Sequence, residues 1–494
     1  MSKSITKRSD DYSKWYLEVI AASELIDSSP VRGCMVLRPN GFAIWENIKS
    51  DLDRRFKETG HVNAYFPLLI PQSFLSKEAE HVEGFAKECA LVTHHRLRTV
   101  IGEDGKPKVE PDPAAKLEEP LVIRPTSETI IWHMYGKWIN SHRDLPVLIN
   151  QWANVMRWEM RTRPFLRTAE FLWQEGHTAH ATRVEAEEEA TRMLHVYKDF
   201  CHETLAVPVV TGVKTANERF AGAVDTYTIE AMMQNGWALQ SGTSHFLGQN
   251  FAKAFDVTYQ DQNNEQIHVW ATSWGVSTRL IGALIMTHSD DTGLVCPPKV
   301  APIQVVITPI WRNDEQRQIV LEFTDKVFGL LRKHVRVKVD DREGVKPGAK
   351  YYEWERKGVP LRLEIGARDV AKNSVFSARR TGGKKSGITV DDNFVQSVQG
   401  ALNEIQQVLL DKAIELRDSK TYTIRTYQEL LDGIGDGGFF IAPWKDDSVN
   451  EDKIKADCRA TIRCYPTQQD DLTNEVCFYS GESATHWALF AKAY

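Results

Sequence analysis

The sequence predicts a multidomain protein of mixed α+β and α/β class, in which an antiparallel-sheet domain precedes a small α/β domain and a small C-terminal α+β domain. The chain has 494 residues, too many for one hydrophobic core. A strand–loop–strand pattern at 145–182 predicts an antiparallel hairpin, and from 295 onwards short apolar strands alternate with helices.

Composition narrows the class of protein. The chain is 42% hydrophobic and 10% aromatic, which is typical of a folded enzyme. Its net charge of −6 argues against a protein that coats DNA, because such proteins are strongly basic. The seven cysteines are scattered without a CxxC pair, so we expect a reducing compartment and no disulfide framework. No signal-peptide core and no run of about 18 apolar residues is present, so we expect a cytoplasmic protein without a membrane span.

Apolar spacing, glycines, prolines and cap residues predict the elements of the first region. They are a helix at 41–60, a strand at 62–71, a loop then a strand at 81–95, a hairpin tip or surface loop at 102–120, a strand entering a helix at 121–139, strands at 145–159 and 168–182, a helix at 183–205, and a strand that breaks at Gly275 into a helix presenting Arg279. Ser127 is the expected N-cap of its helix.

The prolines of 295–310 mark a linker, and the region beyond it predicts a separate α/β domain closed by a long amphipathic helix at about 391–417. Residues 332–385 hold sixteen Lys and Arg against seven Asp and Glu, a local charge of +9. This segment is the best candidate for a nucleic-acid contact, although most charge runs are solvated faces. Residues 421–494 predict further short strands.

Three segments place arginines or carboxylates among apolar and aromatic residues. They are RPTSE (124–128), RWE (157–159) followed by Arg167, and WGVSTR (274–279). The P-loop, HExxH and GxSxG motifs are absent, which argues against several common enzyme classes.

In this order the segments resemble the three motifs of class II aminoacyl-tRNA synthetases, and most closely the prolyl-tRNA synthetase family without an editing insertion. Motif one is similar to 41–71, motif two to 148–177 and motif three to 275–293. The stretches HVEGFA, FLWQEGHTAH and SGTSHFLGQNF also resemble that family. The resemblance spans nearly the whole chain and implies the class II antiparallel-sheet catalytic fold.

The resemblance implies ATP-dependent attachment of L-proline to tRNA(Pro) in two steps, with prolyl-adenylate and pyrophosphate formed first. Because the substrate carboxylate is itself the nucleophile, catalysis consists of positioning and charge stabilisation. The implied catalytic residues are Arg157, which would bridge the carboxylate and the α-phosphate, and Arg279, which would bind the γ-phosphate with Mg²⁺ as the counterion.

The remaining implied contacts fall into two sets. Those for proline are Thr126, Glu128, Arg157, Trp173, Glu175, His177 and His245. Those for ATP are Arg157, Glu159, Arg167, Thr168, Gln240, Thr243, Ser277 and Arg279. Without the resemblance, Trp173 and His245 would be interpreted as core residues and Glu128 as a helix-start carboxylate.

The resemblance also implies domains and partners. We expect a catalytic domain at 1–296, an anticodon-binding domain at 297–405 and a C-terminal domain at 406–494, in a homodimer formed through motif one. The candidate tRNA contacts are Arg342, Arg362, Arg379 and Arg380.

Two departures from the family pattern matter. No editing domain is expected between motifs two and three, so some activation of alanine is expected. The C-terminal region carries only Cys477 at a matching zinc position, with Cys458 and Cys464 elsewhere, so we expect no structural zinc. The alternatives are a catalytically dead paralogue, which Arg157, Glu159 and Arg279 argue against, and a threonyl-type enzyme, whose pocket zinc ligands are missing.

Overall fold

The protein is described by a computed structural model over residues 4–75, 88–383 and 385–494. The predicted loop HVEGFA (81–86) lies outside the described residues. Within the described chain, no helix is both long and apolar enough to cross a bilayer.

The first region is rich in strands. Its strands are β1 (Ile26–Ser28), β2 (Met35–Leu37), β3 (Val62–Asn63), β4 (Leu69–Pro71), β5 (Ala90–His94), β6 (Leu97–Ile101), β7 (Pro107–Pro111), β8 (Lys116–Ile123), β9 (Val147–Met156), β10 (Glu170–His180), β11 (Val209–Val213), β12 (Asp225–Met232), β13 (Ala238–Gly248), β14 (Thr258–Gln260), β15 (Gln266–His268) and β16 (Trp270–Ser277). Its helices are α1 (Tyr12–Ala22), α2 (Pro39–Glu58), α3 (Gln72–Leu75), α4 (Glu128–Trp138), α5 (Arg183–Glu203), α6 (Asn250–Ala254) and α7 (Arg279–His288).

An antiparallel sheet forms the centre of this region, in the order β11-β12-β13-β16-β10-β9, with β3 added in parallel at the edge. Helix α5 begins with a capping box between Thr182 and Glu185 and packs against β13 and β16. The close packing depends on Gly176, because a Cβ there would lie 2.1 Å from the buried indole of Trp274 on the neighbouring strand. One face of the sheet is thus filled by core, and the opposite face is left for ligands.

The second region is the predicted α/β domain. Its strands are β17 (Val305–Pro309), β18 (Val337–Val339), β19 (Leu361–Ile365), β20 (Ser374–Arg379) and β21 (Ser386–Thr389), in the order β18-β17-β19-β20-β21. Its helices are α8 (Asp314–Leu331), α9 (Pro347–Arg356), α10 (Ala367–Ala371) and α11 (Phe394–Ser419). The apolar faces of α8 and α11 cover this sheet and form a separate core.

The C-terminal region continues the central sheet. It contains strands β22 (Thr421–Thr423), β23 (Phe439–Trp444), β24 (Thr461–Pro466) and β25 (His486–Ala491), with helices α12 (Tyr427–Gly433) and α13 (Ser448–Cys458). Strand β24 pairs with β11, so that Gly212 faces Pro466 and one eleven-stranded sheet runs through both regions. The C-terminal region is therefore physically joined to the central sheet.

Several predicted elements differ in detail. The strand predicted at 62–71 is two short strands, because β3 pairs with β9 in the central sheet and β4 pairs with β8 in another sheet. Ser127 directly precedes α4 but does not cap it, since its hydroxyl donates to Glu175 instead. Strand β16 passes Gly275 and ends at Ser277. The boundary expected at 405/406 falls inside α11, whose apolar periodicity continues to Ser419.

Candidate active site

A cavity of about 290 Å³ lies over the free face of the central sheet. Strand register explains which side chains line it, because directly paired residues share a face. One cross-strand row joins Thr226, His245, Ser273 and His177 across β12, β13, β16 and β10. A second row on the same face, two residues further along each strand, carries Thr243, Gly275 and Glu175. Four sequence segments thus converge on one surface.

A buried hydrogen-bond network orders one end of the cavity around Glu175. The carboxylate accepts from Ser127 Oγ at 2.5 Å, from Gln151 Nε2 at 2.7 Å and from His177 Nε2 at 2.9 Å. Burial would lower the pKa of His177, but the hydrogen bond and charge of Glu175, with the charge of Glu128, outweigh it and raise the pKa above its usual value. This end of the cavity therefore favours a cation.

Thr126 and Glu128 lie beside this network, at the start of α4. The Thr126 hydroxyl donates to the Glu128 carboxylate, and both side chains are buried and line the cavity. The pair adds acceptor oxygens suited to an ammonium group. Two further polar atoms, His177 Nδ1 and Ser273 Oγ, are buried without a hydrogen-bond partner in the described chain, and are available to a ligand.

Arg157 follows the end of β9 and projects into the middle of the cavity. Its Nε donates to the Pro125 carbonyl at 3.0 Å, and its guanidinium lies 5.7 Å from the ring centres of both Phe171 and Trp173. Burial lowers the pKa of Arg157, against the opposing charges of Glu128, Glu88 and Glu175. A desolvated, aromatic-held guanidinium is suited to binding two anions at once.

Arg279 stands at the far end of the cavity, at the N-terminus of α7. Its side-chain acceptors in the described chain are the main-chain carbonyls of Leu166 and Gln240, each at 3.3 Å. Burial and the like charges of Arg167 and Arg157 lower its pKa to about 10, so it remains cationic near neutral pH. A helix N-terminus and a half-buried cation together form a phosphate-binding arrangement.

Most of the predicted site residues line this one cavity. Those brought together are Thr126, Glu128, Arg157, Trp173, Glu175, His177, Gln240, Thr243, His245, Ser277 and Arg279. Three predicted ATP contacts lie in or beside the 157–170 loop and do not line it. Glu159 and Arg167 form an ion pair of 3.6 Å at the loop, and the Thr168 hydroxyl donates to the Glu170 carbonyl.

Several residues that line the cavity are not predicted from the sequence. They are Phe171, Glu218, Phe220, Thr226, Ser241, Gly242, Ser273, Trp274, Gly275 and Val276. Alternation along β10 would have found Phe171, because it shares a face with Trp173. Phe220 carries no local signal, since it lies in a connection and reaches the cavity by stacking on His245 at 4.5 Å.

The four arginines predicted to contact tRNA have different surroundings. Arg342 is half-exposed, pairs with Asp340 and Glu353, and lines a second cavity between the N-terminus of α8 and the 340–347 loop. Arg379 is partly exposed and pairs with Glu404. Arg362 and Arg380 are buried.

The side chains of the two buried arginines are paired with acidic partners inside the fold. Arg362 is paired with Glu355 and Glu364. Arg380 makes a two-pronged ion pair with Asp290 of the first region, with both distances at 2.7 Å. Their acidic partners could not be seen in the sequence.

The described residues contain no group of three or more His, Cys, Asp or Glu side chains arranged to hold a metal ion. Of the C-terminal cysteines, Cys464 and Cys477 are buried and Cys458 is partly buried. The core around them is apolar, with Trp444, Phe478 and Phe490 in contact.

The fold and site define a class of enzyme. Residues 108–288 match the tRNA synthetase class II core domain (G, H, P, S and T), and residues 304–400 match an anticodon-binding domain. The chain is thus a class II aminoacyl-tRNA synthetase, as predicted. Residues 427–494 match the C-terminal domain of prolyl-tRNA synthetase.

Full-length comparisons identify the family. The chain is 58% identical to the proline–tRNA ligases of Porphyromonas gingivalis and Bacteroides fragilis, covering 100% of this chain and 99% of each relative. A crystal structure of prolyl-tRNA synthetase from Cryptosporidium parvum complexed with L-proline and AMP has a TM-score of 0.89 at 38% identity, covering 99% of this chain and 97% of that chain. The chain belongs to the proline–tRNA ligase family, and the predicted fold class and family are confirmed.

Proposed function

We propose that this cavity activates L-proline with ATP and that the enzyme then transfers the prolyl group to tRNA(Pro). The single observation that carries this proposal is the position of Arg157, a half-buried guanidinium between a carboxylate-rich end and a second half-buried cation, Arg279. The first end suits an amino acid with a cationic nitrogen. The second suits the phosphates of ATP.

Proline binds at the carboxylate-rich end in this proposal. Its carboxylate meets Arg157, and its secondary ammonium meets the acceptors of Thr126 and Glu128. Trp173, His177 and His245 enclose the ring, while Glu175 fixes His177 through their 2.9 Å hydrogen bond. In this orientation the carboxylate oxygen faces the ATP end, where it attacks the α-phosphate.

ATP binds between the 157–170 loop and α7. Glu159 accepts from the adenine amino group, Arg167 and Thr168 flank the nucleotide, and Arg279 binds the γ-phosphate beside Ser277. Gln240 and Thr243 face the phosphates from β13. The residues present fit a Mg²⁺ ion held mainly by ATP, because Mg²⁺ usually takes few protein ligands and the Gln240 side chain offers an oxygen beside the phosphates. The ion would neutralise charge on the phosphates.

The cavity lined by Arg342 is the proposed site of anticodon contact. It is bounded by Trp311, Arg317 and Lys346, which supply an aromatic face and positive charge for an unpaired base and its phosphate. Arg379 is a second, exposed candidate. This proposal leaves Arg362 and Arg380 as packing residues.

The remaining proposals concern architecture. We propose domain boundaries near 296 and 419, a cytoplasmic homodimer formed through α2 and β3, and no DNA partner. The apolar core of the C-terminal region is proposed to replace a zinc site. The residues between β10 and β16 all belong to the central sheet, its helices and a small hairpin, which supports the absence of a cis-editing domain.

Charging of tRNA tests the whole proposal. Transcripts of tRNA(Pro) and tRNA(Thr) are incubated with enzyme, ATP and the cognate amino acid, and the charged fraction is resolved on acid gels. The proposal predicts charging of tRNA(Pro) with proline only. Threonine transfer to tRNA(Thr) would instead support the threonyl-type alternative, and no charging of either would support a dead paralogue.

A further inference from the structure

The connection between β11 and β12, residues 214–224, forms part of the cavity wall. Two of its side chains, Glu218 and Phe220, line the cavity. The Phe220 amide donates to Thr226 Oγ1 at 3.0 Å, and the ring of Phe220 stacks on His245 at 4.5 Å. We call this segment the 214–224 connector. Its position sets one side of the proposed proline pocket.

Helix α13 of the C-terminal region holds the connector from outside. Thr215 Oγ1 donates to the Glu451 carboxylate at 2.9 Å, and Asn217 Nδ2 donates to the Ser448 carbonyl at 3.1 Å. Lys455 Nζ donates to Glu218 at 3.1 Å. These contacts fall on successive parts of the connector, directly before the cavity-lining Phe220.

A buried ionic cluster holds the base of the connector. Glu230 accepts from Lys214 Nζ at 2.8 Å and from Arg463 Nε of strand β24 at 3.0 Å, and all three side chains are buried. Burial alone would raise the pKa of Glu230, but the charges of Lys214 and Arg463 outweigh it and lower the pKa. The carboxylate is thus ionised, and the cluster joins the connector to the C-terminal sheet.

The carboxyl group of Glu451 is buried beside other acidic side chains. Burial raises the pKa of its carboxyl to about 7, against the Thr215 hydrogen bond, and the charges of Glu218 and Asp452 act in the same direction as burial. Lys455 lies among these carboxylates and balances them. The lysine charge therefore supports the contact between α13 and the connector, beside the hydrogen bonds of Thr215 and Asn217.

We propose that the C-terminal region is a brace that positions the 214–224 connector, with Lys455 as a positioning residue for the proline pocket. The inference rests on the proposed function of the cavity, because it assigns Glu218 and Phe220 to the amino-acid wall. Neither Lys455 nor Asn217 lines the cavity. Their effect on substrate is transmitted through the connector.

Charge reversal tests the brace with a matched control. Lys455→Glu places a negative charge against Glu218, and Arg425→Glu breaks the ion pair of 2.8 Å with Glu475 elsewhere in the same region. The two cations have similar exposure, at 54% and 60%. Lys455→Glu is expected to raise the KM for proline about fivefold or more, with the KM for ATP unchanged. Arg425→Glu is expected to change neither, and Lys455→Arg should restore the wild-type KM.

Amide hydrogen exchange gives a readout that is independent of activity. Peptides covering 214–224 should exchange faster in Lys455→Glu than in wild type. In Arg425→Glu, the exchange rate of these peptides should equal that of the wild type. Asn217→Ala, a substitution at an exposed position, should give a smaller increase in the exchange rate. It replaces Lys455→Glu in the test if that variant does not fold. Wild-type exchange and KM in Lys455→Glu would overturn the brace while leaving the proposed function intact. Wild-type enzyme that shows no proline activation would overturn the proposed function itself.

Discussion

His177 Nε2 lies 2.9 Å from the Glu175 carboxylate, and both side chains are buried at the carboxylate-rich end of the cavity. Their strand positions, two residues apart on β10, place them on the same face of the sheet. The ion pair they form when His177 is protonated makes the stability of this site depend on pH.

Glu175→Gln should reveal this dependence. The raised pKa of His177 means that the charged pair stabilises the fold fully below the unfolded histidine pKa, near 6.5. That contribution is lost as pH rises through the folded pKa. Urea unfolding should therefore show a larger wild-type advantage over Glu175→Gln at pH 6 than at pH 9. An advantage that is equal at both pH values would contradict the assignment.

Arg279→Gln should affect ATP and spare proline. The cation at the start of α7 would be lost from the γ-phosphate end, so kcat should fall about a hundredfold or more and the KM for ATP should rise. The KM for proline should stay at its wild-type value. Arg143→Gln, at an exposed arginine outside the cavity, is the control and should behave as wild type. A change confined to the KM for proline would contradict the orientation of ATP.

Arg342→Ala should separate tRNA binding from amino-acid activation. Loss of one base or phosphate contact is expected to raise the KM for tRNA(Pro) about tenfold. Proline activation without tRNA should be unaffected, because the cavity lined by Arg342 lies in the second region. Arg332→Ala, at the opposite end of α8, is the matched control. Equal tRNA kinetics for the two variants would rule out this cavity as the contact.

Alanine should be activated weakly. No editing domain in cis is proposed for this chain, so alanine is excluded by weaker binding alone. Each methylene that alanine lacks is worth roughly 1–3 kcal/mol in an apolar pocket. The kcat/KM for alanine-dependent exchange should therefore lie about 10²- to 10⁴-fold below that for proline. Exchange at the background level of a no-amino-acid reaction would sink this expectation.

The sequence was a good guide to the elements and to the residues on strands. Alternation placed the 145–182 hairpin, and the motif resemblance named eleven residues that line one cavity, including Arg157 and Arg279. Ser127 was predicted as a cap, yet it donates to Glu175, because a tertiary acceptor replaced the local one. Such long-range partners leave no local pattern.

The contacts made by the connections between helices and strands could not be predicted from the sequence either. Phe220 reaches the cavity only because the chain folds the 214–224 connector against His245 and helix α13. Arg362 and Arg380 lie in a basic segment that predicts RNA contacts, but in the fold they pair with Glu355 and Asp290. A local charge count does not reveal which charges are already paired.

Proline-dependent exchange of pyrophosphate into ATP tests the central claim most directly, with wild type compared with Arg157→Lys. The account predicts exchange with proline and none above background with threonine or serine. In Arg157→Lys the rate should fall about a thousandfold, because an ammonium cannot replace the bidentate guanidinium. Exchange that ignores proline, or that survives undiminished in Arg157→Lys, would contradict the account.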